Sequence, residues 1–165
     1  MNPKQSVCTL IFLKKADQIL LAEKKRGFGQ GLLNGIGGKI EAGETIEQAL
    51  LRETNEEITV TPMNYWKVAE HSFIQDADTD PWKIYMHVYL CDEWHGQPQE
   101  TDEMAPEWFN IQDIPYARMW ADDEFWLPQV LAGQRVYGEF TFDENDKLIS
   151  HDVQVVETLP HEVFD

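Results

Sequence analysis

Apolar and polar positions change rhythm several times along the chain. Val7 to Leu13 is a nearly unbroken apolar run, and Gln18 to Glu23 follows it across Ala16-Asp17; both are rich in Val, Ile and Leu, which predicts a β-hairpin. Between Gly27 and Gly43 the periodicity disappears and seven glycines fall among seventeen residues. That density fits a loop that turns tightly or brings its backbone against a ligand. A helical period then takes over from Thr45 to about Ile58. Thr45 with Gln48 fits a capping box, Ile46, Ala49, Leu50 and Ile58 form the apolar stripe, and Pro62 bars continuation. Strands are predicted at Lys67 to Ile74, Ile84 to Cys91, Trp108 to Ile111, Tyr137 to Phe142 and Leu148 to Val156, with a second helix from about Asp122-Asp123 to Leu131. The order ββ-loop-α-βββ-α-ββ predicts an α/β (α+β) fold, a mixed sheet with helices packed on its faces. No repeat or long Pro/Gly/Ser linker divides the chain, so residues 1–165 read as one domain.

Charge narrows the range of partners. The net charge is -17, which argues against a nucleic-acid polymer or an anionic membrane surface as partner and leaves small, metal-neutralised ligands. Residues 1 to 60 hold equal numbers of acids and bases, so the whole excess lies in residues 61 to 165, and an anion site is expected in the first third. Lys24-Lys25-Arg26 is the densest positive cluster. Cys8 and Cys91 both lie in apolar β-rich runs, which favours buried free thiols. Val7 to Leu13 is too short to span a bilayer and lacks a cleavage site, so a cytoplasmic protein without membrane partners is the expectation.

Chemistry enters on the first helix. Glu53, Glu56 and Glu57 stand at i, i+3 and i+4, with all three carboxylates on one face. Like charges at this spacing repel, so either the face is merely solvated or a cation offsets it. Oxygen-only ligands favour Mg²⁺ or Mn²⁺. None of His71, His87, His95, His151 and His161 has metal-ligand spacing, and no Ser-His-Asp or Cys-His nucleophile pattern stands out.

The stretch from Gly38 through Glu44 and Arg52-Glu53 to Glu56-Glu57 and Val60 resembles the signature of the Nudix hydrolases, with every charged position and the first glycine at the right spacing. Thr54 replaces an apolar residue of that signature and Thr59 its glycine. The Thr54 hydroxyl is expected to bond back to the preceding turn. Glycine at the second position suits a left-handed cap that a β-branched residue resists, so this helix is expected to end differently, with some strain.

The resemblance implies a Nudix fold, with a mixed β-sheet sandwiched between helices. It also implies a Mg²⁺-dependent hydrolase of a nucleoside diphosphate linked to another group. Glu53, Glu56 and Glu57 would hold the metal with the Gly37 carbonyl, Glu103 would add a distal carboxylate, and Arg52 would orient Glu53. Which glutamate takes a proton from water stays open. Lys24 and Lys39 are the candidates for phosphate contacts.

The likeness extends through Lys24–Gly31, Asn34–Lys39, Thr101–Met104, Met119–Asp123 and Tyr137–Phe142 to the MutT-like branch that hydrolyses oxidised purine nucleoside triphosphates, such as 8-oxo-dGTP and 2-hydroxy-dATP, to monophosphate and pyrophosphate. By that resemblance Asn34, Trp120, Asp122 and Asp123 read the base. Phe28 and Phe73 are candidates for the pocket wall, with plain core as the competing reading, and Thr9 joins the substrate-binding set. The residue types agree: Trp120 offers a stacking surface, and Asn34 presents donors and an acceptor to a purine edge. Two adjacent carboxylates beside Trp120, Phe125 and Trp126 would struggle to ionise together, so one would stay protonated and donate. The competing reading of the Asp pair is a helix N-cap. A monomer acting on a nucleoside triphosphate is expected. Another nucleoside diphosphate derivative as substrate, or a non-catalytic nucleotide-binding module, remain the alternatives.

Overall fold

The computed structural model describes residues 4–160; His161 and the end of the acidic tail lie outside them. Eight strands form one mixed sheet: β1 (Lys4–Lys15), β2 (Gln18–Lys24), β3 (Leu33–Asn34), β4 (Thr61–Gln75), β5 (Trp82–His95), β6 (Met104–Asn110), β7 (Arg135–Phe142) and β8 (Leu148–Val156). The path is β3-β2-β1-β5-β4-β7-β8, with β6 paired to β2. The helices are α1 (Ile46–Ile58) and α2 (Asp123–Leu131), and two short 3₁₀ turns, Ile111–Asp113 and Tyr116–Arg118, join β6 to α2.

The central strands are buried on both faces, which explains their unbroken apolar runs. Alternation assigns each residue to a side. On β1, Leu10 and Phe12 pack with Trp126, Leu127 and Val130 of α2, whereas Ile11 and Leu13 pack with Leu50 and Ile58 of α1. β2 and β5 divide the same way: Ile19, Leu21, Val88 and Leu90 face α2, and Leu20, Ala22, Tyr89 and Cys91 face α1. The sheet therefore lies between the two helices, as the sequence pattern implies.

The first two strands do turn back on each other at Ala16, which adopts φ 53°, but they pair only at Lys14↔Ile19 and Lys15↔Gln18. They then diverge. β1 runs parallel to β5 from Lys4↔Trp82 to Leu13↔Cys91, and β2 pairs along its length with β6. In the gap the loop after β3 takes the free edge of β1, with Ile36 and Gly38 carbonyls accepting from Ile11 and Thr9 N–H at 2.7 and 2.9 Å. Glycine-rich chain thereby enters the middle of the fold.

The helices carry their own start and stop signals. The Thr45 side chain accepts from Gln48 N–H at 3.1 Å and the Gln48 side chain from Thr45 N–H at 2.9 Å, completing the capping box. Thr54 Oγ1 donates to the Leu50 carbonyl at 2.7 Å, the back-bond expected of it. The expectation that α1 ends differently is corrected. Thr59 adopts the left-handed conformation (φ 61°, ψ 37°) that glycine would, held by its N–H on Asn55 O at 3.0 Å and its hydroxyl on Gln97 O at 3.2 Å. Cys8 and Cys91 are buried free thiols. Among the described residues no helix is long and apolar enough to cross a membrane.

Candidate active site

Helix α1 presents its carboxylates to the glycine loop, and Arg52 ties the two together. Its guanidinium grips Glu44 with two parallel bonds, Nε to Oε2 at 2.7 Å and Nη2 to Oε1 at 2.9 Å. Nη1 reaches Glu53 at 2.9 Å and Glu56 at 3.2 Å, and Nη2 also donates to the Lys39 carbonyl at 3.2 Å. This fork geometry suits arginine and no other cation. Arg52 holds the Glu44 carboxyl down to about 2. The loop can approach because residues 37 and 38 lack side chains: a Cβ on Gly37 would lie 1.8 Å from Thr9 O, and one on Gly38 would lie 2.6 Å from the Glu53 carboxyl carbon.

Behind Arg52 the carboxylates are short of counter-charge. Burial, more than the guanidinium can offset, pushes Glu53 up. Glu57 is pushed to about 8 by burial and then by Glu53, with Lys24 and a long 3.4 Å contact from Gly37 N–H opposing. Glu103 also bears on Glu57, and is itself pulled down by Arg26, which donates to it at 2.6 Å. Thr101 anchors the Glu103 loop to the end of α1, donating to Glu57 O at 2.7 Å. No group of three or more His, Cys, Asp or Glu is gathered at ligand spacing among the described residues. Even so, the donor set is all hard oxygen, and the crowding of Glu53 and Glu57 is what a divalent cation would relieve, so these residues fit such an ion.

On the opposite face of the sheet, under α2, lies an aromatic cleft. Phe28, Phe73, Trp120 and Asp122 line it, as the sequence reading proposed. Trp82, Ile84, Met86 and Phe142 complete it and carry no site signal in the sequence: the last three read as ordinary strand residues, and Trp82 falls just before the predicted strand. The cleft is narrow, about 60 Å³, since the Phe28 ring leans on Trp120 at 5.0 Å and meets Trp82 at 5.6 Å. Gly27 and Gly29, both at φ 82°, bracket Phe28.

Asp122, which lines the cleft, and its neighbour Asp123 are almost fully buried. Asp122 occupies the position before α2 but makes no side-chain cap; it accepts from Trp126 Nε1 at 2.8 Å instead. Capping therefore does not account for the pair. Burial raises both carboxyls, Asp123 further because Asp122 is beside it, and Asp123 Oδ2 has no hydrogen-bond partner among the described residues. Burial thus favours the protonated form in both members, and in Asp123 most.

The remaining candidates scatter. Asn34 lies on β3, its Oδ1 accepting from Gly35 N–H at 2.8 Å, and the Leu33↔Met119 bridge brings that strand beside the residue preceding Trp120. Asn34 is nevertheless not among the cleft-lining residues, and neither is Asp123. Lys24 lies close enough to Glu57 and Glu103 to lower both. Thr9 is buried, opposite His87 on β5, away from the cleft. Lys39 is exposed and lines a different cavity. His71 is neutral, pushed down to about 3 by burial, and packs on Trp126 at 4.4 Å; His151 stacks on Phe125 at 3.9 Å.

Known proteins resemble this chain in sequence and in fold. The oxidized purine nucleoside triphosphate hydrolase of Danio rerio is 41% identical over 151 residues, covering 92% of this chain and 96% of the fish protein. The Mus musculus protein of the same name is 37% identical over the same coverage. The crystal structure of a MutT protein from Bacillus halodurans superimposes with a TM-score of 0.79 at 26% identity, covering 90% of this chain and 97% of that one. The NUDIX domain profile matches residues 3–130, across the glycine loop, the α1 carboxylates and the Asp pair, and the chain belongs to the Nudix hydrolase family.

Proposed function

We propose that the chain is a Mg²⁺-dependent pyrophosphohydrolase that converts oxidised purine nucleoside triphosphates, 8-oxo-dGTP and 2-hydroxy-dATP, to monophosphate and pyrophosphate, and so clears them from the nucleotide pool. The observation that carries the substrate reading is the buried Asp122–Asp123 pair, the first member of which lines an aromatic cleft. The hydrolase reading rests on the family and on the named activity of the fish and mouse relatives.

In this reading Glu53, Glu56, Glu57 and Glu103, with the Gly37 carbonyl, hold Mg²⁺, with Mn²⁺ as a substitute. When bound, the ion supplies positive charge against the triphosphate and acidifies a water. Arg52 fixes the position of Glu53 through its simultaneous grip on Glu44. Lys24, beside Glu57 and Glu103, supplies further charge toward the phosphates. Trp120 stacks on the base, and Asn34 and the Asp pair meet its edge. With one proton between them, Asp122 and Asp123 present both a donor and an acceptor, so oxidised guanine and oxidised adenine are both read. A purine needs more room than the cleft's 60 Å³, so Phe28 swings off Trp120 on its flanking glycines as substrate enters. The protein works as a single-domain monomer in the cytoplasm, on small nucleotides rather than nucleic-acid polymers.

Pyrophosphate release from 8-oxo-dGTP, 2-hydroxy-dATP, dGTP and dATP with Mg²⁺ tests this. The oxidised pair should turn over with a higher kcat/KM than the normal pair. Equal turnover across the panel would remove the specificity and point to another nucleoside diphosphate derivative.

A further inference from the structure

Strand β5 divides its side chains between two compartments. Ile84 and Met86 line the aromatic cleft, while Lys83, Tyr85 and His87, of opposite parity, line a separate cavity of about 890 Å³ on the α1 face. Val7 of β1 and the chain from Lys39 to Ile46 form its other walls. Glu53, Glu56, Glu57, Trp120 and Asp122 contribute nothing to it. Its size falls within the ~300–1,000 Å³ of small-molecule sites.

The floor of this cavity is polar and short of partners. His87 is fully buried, and neither ring nitrogen has a hydrogen bond among the described residues. Beside it Glu70, equally buried, accepts at Oε1 from Tyr85 at 3.2 Å and pairs there with Lys67 at 3.3 Å. His87 Nδ1 is 3.7 Å from that same oxygen, too far to share it. Burial keeps the imidazole neutral, which leaves it one donor and one acceptor to offer. At the rim Lys39 and Lys83 face two acids, Glu41 and Glu44, but both oxygens of Glu44 are taken by Arg52. The first turn of α1, with its positive dipole end, opens on the same space at Thr45 and Ile46.

We propose that this cavity binds a small aromatic anion. Its flat body lies against Val7, Ile46 and Tyr85, its hydrogen-bonding edge meets His87, and its carboxylate or phosphate rests between Lys39, Lys83 and the start of α1. A nucleoside monophosphate and a non-nucleotide aromatic carboxylate share that chemistry.

NMR titration of the full chain with adenosine monophosphate, with quinoline-2-carboxylate and with inorganic phosphate separates the sources. One of the two aromatic anions should give saturable shifts at Val7, Ile46 and the His87 ring, with a Kd below ~1 mM. Lys83→Glu should weaken that binding at least about tenfold, and Trp120→Ala, which alters only the cleft, should not. His87→Phe removes the ring nitrogens and should weaken it too; Lys83→Glu, a change at the rim, keeps the test valid if that variant fails to fold. Linear shifts with both aromatic probes, equal shifts with inorganic phosphate, or binding indifferent to Lys83→Glu would each overturn the proposal.

Discussion

The two faces of the sheet handle carboxylates in opposite ways. On the α1 face Glu44 lies in a guanidinium fork and is held down to about 2, and Glu53 and Glu56 lean on the same arginine. On the α2 face Asp122 and Asp123 have an indole, aromatic rings and each other, and both are raised. The difference lies in the neighbours. Where a cation grips an acid that is little desolvated, as at Glu44, the charged form is favoured; where burial outweighs the cation, as at Glu53, or only apolar groups surround the acid, the protonated form gains and can donate a hydrogen bond. Glu57, pushed up to about 8, lies between the two regimes: it is placed on the charged face but left without its cation.

The harshest test of that contrast removes charge from the α1 face alone. Glu57→Gln keeps shape and hydrogen-bonding capacity but deletes an anionic oxygen, so kcat for the oxidised triphosphates should fall by roughly 10²–10⁴. Nucleotide binding at the cleft, followed through Trp120 fluorescence, should survive. Activity within threefold of the parent would mean that Glu57 is only a crowded buried acid with no part in the reaction.

The same substitution type on the α2 face should redirect rather than abolish the reaction. Asp123→Asn retains a donor but can no longer trade a proton with Asp122. One of the two oxidised purines should lose about 10- to 100-fold in kcat/KM while the other stays nearly as good, the scale of one hydrogen bond to a charged group. An unchanged ratio between the two bases would break the link between the Asp pair and base recognition.

The Asp pair also sets a pH dependence of stability with an unusual sign. Its folded carboxyls hold their protons at pH values where the unfolded ones, near ~4, have lost them. The folded state therefore binds more protons above that pH, and raising the pH through the native titration weakens it. Most lone acids paired with a cation, Glu44 among them, act in the reverse sense: their contribution is present above the unfolded value and is lost as pH falls toward 2. Buried His71 and His87, neutral when folded and protonated when unfolded at pH 5, pull the other way, so thermal melting from pH 5 to 7.5 should show the parent Tm falling relative to that of Asp123→Asn. Identical slopes in parent and variant would mean that the pair is charged throughout.

The charged face was largely legible in the sequence, and the aromatic one only in part. Local rules suffice for α1, because Thr45, Gln48, Arg52 and the glutamates act within one or two turns of each other. Two strand boundaries fell short for local reasons: Pro62 stops α1 yet lies within β4, and Pro106 lies in β6, which pairs with β2 alone. Partner choice was not legible. Nothing in Val7–Leu13 announces that it prefers Tyr85–Cys91 in parallel over the adjacent hairpin strand, and that pairing is what sends Ile84 and Met86 into the cleft. The cleft's other aromatics come from the loop, β4, β5 and β7, and only tertiary structure gathers them.

The end of α1 offers the gentlest test, since it alters the scaffold of the charged face without touching a carboxylate. A β-branched residue in left-handed backbone costs about 1–2 kcal/mol, and Asn tolerates that conformation far better. Thr59→Asn should relieve part of this strain, but it gives up the hydroxyl's bond to Gln97 O, which at an exposed position contributes about 0.5–1 kcal/mol. The net should be a gain of at most about 0.5 kcal/mol, a rise in Tm of roughly 1–2 °C or less for a chain of this size, with kcat and KM unchanged. A fall in Tm would show that the Gln97 bond, which fastens the helix end to the segment leading to Thr101 and Glu103, outweighs the backbone strain. A changed kcat would show that this fastening also sets the position of Glu103.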